Sequence, residues 1–138
     1  MKLTRAVAKS AYVVLGTVFL AAGASLLLVN SGLLPGMLRE VIIEESRGDL
    51  NTLHIMQEFG SLLVFAGLIT FWFLWHYEQS RPFHWAMTVF WGLFAMAHWF
   101  DVRGPFPSVG GPLLTTVPFI LLLLIGLLRT RTETSSVA

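Results

Sequence analysis

Four runs of mostly apolar residues, each close to the length of a bilayer-crossing helix, constrain this chain more than any other feature. A transmembrane helix needs about 20 such residues, and the runs are Tyr12–Val29, Leu53–Trp75, Phe83–Phe100 and Val109–Leu128. The first is uncharged and ends at Asn30-Ser31-Gly32, a helix stop followed by Pro35. The second is interrupted by His54, Gln57 and Glu58 within its first two turns, and the third carries His84 and His98 at its two ends. The fourth is Leu-rich and contains Pro118, which lacks a backbone donor and so frees the Leu114 carbonyl. Only 12% of the residues are charged, against about 25% in soluble domains. The expected fold is an all-α integral membrane protein, a four-helix transmembrane bundle forming a single domain over residues 1–138.

The first run resembles a signal peptide in having Lys2, Arg5 and Lys9 before it and Ala22-Gly23-Ala24 within it. Cleavage there would leave Ser25-Leu26-Leu27-Leu28-Val29 as the new start, so the apolar run continues past the site and a retained helix is expected. A formal charge of +1 excludes a nucleic-acid binder built on a basic surface. The absence of cysteine excludes disulfides, thiolate metal sites, covalently attached c-type haem and thiol nucleophiles.

Orientation follows from Lys and Arg near the span ends. Lys2, Arg5, Lys9, Arg81, Arg129 and Arg131 fall on one side, against Arg39, Arg47 and Arg103 on the other. Both termini are therefore expected in the cytoplasm, in a bacterial inner membrane. The long connection, residues 31–52, places Leu34, Leu38, Val41, Ile42 and Glu45 at helical spacing. That predicts a short amphipathic helix, lying on the outer surface or closing over the bundle mouth. The connection Tyr77 to Pro82 is tight and makes spans two and three an antiparallel hairpin.

Ionisable groups inside spans tend to face protein and to mark function. At about 100° per residue, His54, Gln57, Glu58, Ser61, Phe65 and Trp72 share one face of span two; His84, Met87, Trp91, Phe94, His98 and Asp101 share one face of span three. The hairpin brings the start of one and the end of the other to similar depth, so His54, Glu58, His98 and Asp101 are expected to converge near the outer leaflet. Thr115, Thr116 and the carbonyl freed by Pro118 are candidates to line the same cavity. Gly16, Ala22, Gly23 and Ala24 of span one offer close-packing positions. Trp75, Tyr77 and Trp85, beside His76 and His84, read as an interfacial belt.

Three functions fit this pattern. The first is a non-catalytic protein that binds a lipophilic small molecule, with Trp91, Phe94, Ser61 and Gln57 lining its pocket, or that joins a homo-oligomer or larger membrane complex. The second is an intramembrane enzyme acting on a lipid, sterol-like or quinone substrate, with Glu58 as acid or base and His54 or His98 as its partner. The third is a redox protein. Here His54 and His98 would ligate haem, or His54, Glu58, His98 and Asp101 a divalent metal. Glu58 stands out because, of the acidic and basic residues other than histidine, it alone lies clearly inside a run.

A chain of this size with four spans, both termini inside and one long first outer loop resembles the small bacterial DoxX-like membrane proteins, and the resemblance covers the whole chain as topology. It implies a membrane setting and association with redox or oxygenase-linked systems. His54-Ile55-Met56-Gln57-Glu58 also resembles the His-x-x-x-Glu pair of the sterol-isomerase-like membrane fold. Span three carries Trp91 and Phe94 where that fold has a second acidic residue.

Overall fold

The structure, a computed structural model, describes residues 2–45, 49–100 and 110–134, and its described elements are all helices. They are α1 (Lys2–Leu27), α2 (Gly36–Glu45), α3 (Leu50–Trp75), α4 (Arg81–Phe100) and α5 (Gly110–Thr134). Two of them, α1 over Leu3–Leu27 and α3, are long and apolar enough to cross a membrane. Helices α1 and α5 outrun the apolar segments that announce them, because Lys, Arg and Thr continue a helix that hydropathy no longer marks. The amphipathic segment of the first connection is helical as α2.

The helix ends have local causes. After α1, Gly32 takes a left-handed conformation (φ 73°) with open space around it, so backbone freedom is what selects glycine there. The Arg39 Nε of α2 donates to the Val29 carbonyl at 3.1 Å, putting a cation at the negative end of α1. Asp49 caps α3: its Oδ2 accepts from the Thr52 amide at 2.8 Å and from the Thr52 hydroxyl at 2.6 Å. Those bonds hold the Asp49 carboxyl below its ordinary range.

By internal contacts the chain divides into two units, Val13–Trp72 and Met1–Tyr12 with Phe73–Ala138. In the first, glycines seven residues apart on α1, Gly16 and Gly23, meet glycines seven apart on α3, Gly60 and Gly67. A Cβ on Gly23 would lie 2.6 Å from the Gly60 carbonyl oxygen and 2.7 Å from the Val64 nitrogen, and one on Gly60 would lie 2.8 Å from the Leu26 Cβ. A Cβ on Gly67 would lie 2.7 Å from the Leu20 Cγ. Small residues at this spacing stay on one helix face and let two backbones touch. Leu15, Phe19, Leu63 and Ala66 complete the buried interior of this unit, and Ile42 is the buried anchor of α2.

In the second unit α4 packs along α5. The buried stripe of α4, His84, Thr88, Trp91 and Ala95, repeats at four, three and four residues; on α5 Leu122, Ile125 and Arg129 recur at three and four. Gly92 gives room to Phe119 and Gly126 to Trp85. The outward residues of α5 are Leu113, Val117, Ile120, Leu124 and Leu127, and those of α4 include Val89, Leu93 and Met96. The outward stripes are thus apolar, while the inward ones carry the polar His84, Thr88 and Arg129, the reverse of the pattern of a surface helix in water.

Two predictions follow from this packing. Gly23→Ala should destabilise the protein by about 1–3 kcal/mol, the usual cost of overpacking, while Gly36→Ala, with nothing within 4 Å of the added carbon, should leave thermal unfolding in detergent unchanged. Acidification should fray the first turn of α3. The Asp49 cap is fully present above the ordinary aspartate pKa of about 4 and is lost as pH falls through its own lower value. The Thr52 amide resonance reports this, and Asp49→Asn should abolish the transition.

Candidate functional site

The described residues singled out from the sequence lie on α3, α4 and α5. His54 Nε2 and Glu58 Oε1, one turn apart on α3, are 3.3 Å from each other, and the Glu58 side chain is 67% exposed. The Ser61 hydroxyl donates to the Gln57 carbonyl at 3.3 Å. The face carrying His54, Glu58, Ser61 and Phe65 is the exposed face of α3. Gly60, Leu63, Ala66, Gly67, Thr70 and Phe73 form its buried side, because the close helix approach goes where the glycines are.

On α4, Trp91 is buried and Phe94 half-buried, their rings edge-on at 5.7 Å. Phe94 stands 4.6 Å from the His98 ring, and His98 Nδ1 donates to the Phe94 carbonyl at 2.9 Å, tying the imidazole to its own helix. The buried seam therefore runs through Thr88 and Ala95 as well as His84 and Trp91, one residue away from the face that would have held Phe94 and His98. Asp101 lies outside the described residues. Among the described residues, no three His, Asp or Glu side chains are placed to hold a metal ion. The hydroxyls of Thr115 and Thr116 both donate to the Pro112 carbonyl, at 3.0 and 2.7 Å, and Trp99 Nε1 donates to the Thr116 hydroxyl at 2.9 Å.

Among the described residues, the densest polar construction surrounds Arg129 of α5. Its side chain is only 4% exposed. Arg129 Nη1 donates to the Tyr12 hydroxyl at 2.7 Å; Nη2 donates to the Tyr77 carbonyl and, at 3.4 Å, to the Ser80 hydroxyl. The guanidinium also stacks 4.4 Å from the centre of the Tyr77 ring. Arginine only donates, so the Tyr12 oxygen accepts from it and its own proton is free to bond His84 Nδ1, 2.7 Å away. That fixes the imidazole as the tautomer protonated at Nε2, the atom that faces Gly126, where an added Cβ would come within 2.9 Å. Ser80, also buried, accepts the first helical bond of α4 from the His84 amide and donates its hydroxyl proton to the Tyr77 carbonyl.

One arginine thus joins α1, the turn between α3 and α4, and α5, with α4 held through Tyr12 and His84. A planar fork of five donors suits this arrangement in a way an ammonium does not. The arrangement is that of a structural clamp, in which the Arg129 guanidinium and the Tyr12 hydroxyl spend their hydrogen bonds on holding elements together. Sequence reasoning placed Arg129 in the C-terminal tail and His84 beside an interfacial turn. The signal that identifies them is spacing: Arg129 continues the stripe of Leu122 and Ile125, and Tyr12 continues that of Ala8, Leu15 and Phe19.

No family model, curated protein or solved structure matches this chain.

Tyr12→Phe removes the nearer acceptor of Arg129 Nη1 and the donor to His84 Nδ1, and should cost about 1–3 kcal/mol, as for a buried polar group left unsatisfied. Combined with His84→Phe it should cost less than the sum of the single changes, by about 0.5–3 kcal/mol in a double-mutant cycle. Additive losses in thermal unfolding would show that the two side chains are not coupled.

Proposed function

We propose that this chain is a four-span integral membrane protein of a bacterial inner membrane, with both termini inside, that works by associating with other membrane components rather than by catalysis. The observation that carries the proposal is the polar stripe on the exposed face of α3. The His54–Glu58 pair and Ser61 look outward from a helix whose other outward residues include Ile55, Phe65 and Leu68. Ionisable groups facing hydrocarbon are costly, so a second membrane helix that meets them is favoured, whether from another copy of this chain or from a larger complex. Apolar outward stripes on α4 and α5 support the remaining two spans, since those helices then face lipid on one side and each other on the other. The exposed Met37, Leu38 and Val41 of α2 suit a helix lying in the membrane surface.

A second reading, binding of a flat lipophilic molecule, is favoured by the aromatic ladder on α4. Phe90 is exposed and stacks in parallel on Phe94, with ring centres 5.8 Å apart. The intramembrane acid–base chemistry of His54 with Glu58 retains in its favour only the 3.3 Å separation of the pair.

The chain has no cysteine, so single substitutions report topology directly. Asn51→Cys and Ser108→Cys should be labelled by an impermeant maleimide from the periplasmic side, and Gln79→Cys only after the membrane is opened. Labelling of Ser108→Cys together with Gln79→Cys would mean that only two helices cross. In mild detergent the protein should run above monomer mass by light scattering, and Glu58→Leu should return it to monomer with an unchanged melting temperature. A monomeric wild type would refute the association reading.

A further inference from the structure

The cytoplasmic end of the molecule carries a cleft of about 210 Å³ lined by Arg5, Lys9, Trp75, His76, Tyr77, Glu78 and Gln79. We infer that this cleft binds the phosphate group of an anionic membrane lipid, an inference that rests on the inside placement of α1's start under the proposed function. Arg5 and Lys9 are one turn apart on α1, so their side chains emerge on the same face. Both reach the Tyr77 ring, Arg5 Cζ at 5.3 Å and Lys9 Nζ at 5.7 Å from its centre. This is the ring against which Arg129 stacks from within the protein at 4.4 Å. Three cations thus lie within 6 Å of one aromatic ring. The carboxylate in the cleft lining is Glu78, whose Oε1 is 3.1 Å from Arg5 Nη2.

Positive charge concentrated in a concave site raises the local concentration of anions, and Lys9 adds to it beyond what Glu78 offsets. The exposed indole in the cleft lining selects a lipid over a soluble phosphate. Trp75 stands at the cleft edge 75% exposed, and an indole in that position lies at headgroup level. The indole thus offers a lipid apolar surface at the rim of the cleft, while the phosphate faces Arg5 and Lys9. Basic pockets on the cytoplasmic side of membrane proteins bind anionic headgroups through this combination.

The test is titration of phosphatidylglycerol into the detergent-solubilised protein, followed by native mass spectrometry and by melting temperature, with phosphatidylcholine, glycerol 3-phosphate and inorganic phosphate as parallel arms. Phosphatidylglycerol should bind and stabilise where phosphatidylcholine does not. Lys9→Gln should weaken it about 5-fold, and Arg5→Gln with Lys9→Gln roughly 30-fold. Glu78→Gln should tighten it, an effect that loss of a merely structural ion pair would not produce. Equal binding of both lipids, a double variant that binds like wild type, or an Arg81→Gln control that weakens binding as much as Lys9→Gln would each overturn the inference. Equal stabilisation by inorganic phosphate would overturn the lipid assignment. A failure of membrane topology appears in the maleimide labelling instead, so the two readings fail separately.

Discussion

The guanidinium of Arg129 is the interaction on which one half of this molecule depends. Burying a cation is costly unless its donors are matched; here the Tyr12 hydroxyl, the Ser80 hydroxyl and the Tyr77 carbonyl match them. The tyrosine in turn orients His84, and Ser80 sits at the start of α4. A change in any member leaves another buried polar group without its bond. The charge is best placed where it is because the carbonyls that close α3 carry the negative end of that helix's dipole.

The other half is held by something simpler. Heptad-spaced glycines on α1 and α3 bring two backbones into van der Waals contact, with no polar group involved. Within a bilayer, where apolar side chains gain little by leaving lipid for protein, close packing of this kind is a principal source of helix association. The chain therefore uses two devices, a polar clamp in the unit containing its termini and backbone contact in the unit of Val13–Trp72.

Much of the helical framework is legible in residue order. The apolar runs, the stop at Gly32, the amphipathic segment that becomes α2 and the close-packing role of Gly16 and Gly23 can all be read from composition and spacing. The polar centre is not legible in the same way. Depth within an apolar run singles out Glu58, yet the side chain that is enclosed is Arg129, which follows the last run and reads as a tail charge. Hydropathy measures how apolar a segment is and says nothing about where a helix ends or which of its faces turns inward. Periodicity carries part of that information. The recurrence of Leu122, Ile125 and Arg129 at three and four residues marks the arginine as inward, once the stripe is known to be the buried one.

The sequence by itself determined that this chain is helical, that its helices are apolar over much of their length and that it has no thiol chemistry, because these are sums over local residue properties. Tertiary structure alone decided which face of each helix is buried, that His84 takes its proton on Nε2, and that Tyr12, Ser80 and Arg129 meet across separations of 49 and 117 residues. Those outcomes depend on where glycines allow backbones to approach and on which donors and acceptors are then enclosed together, and neither is a property of any segment taken alone.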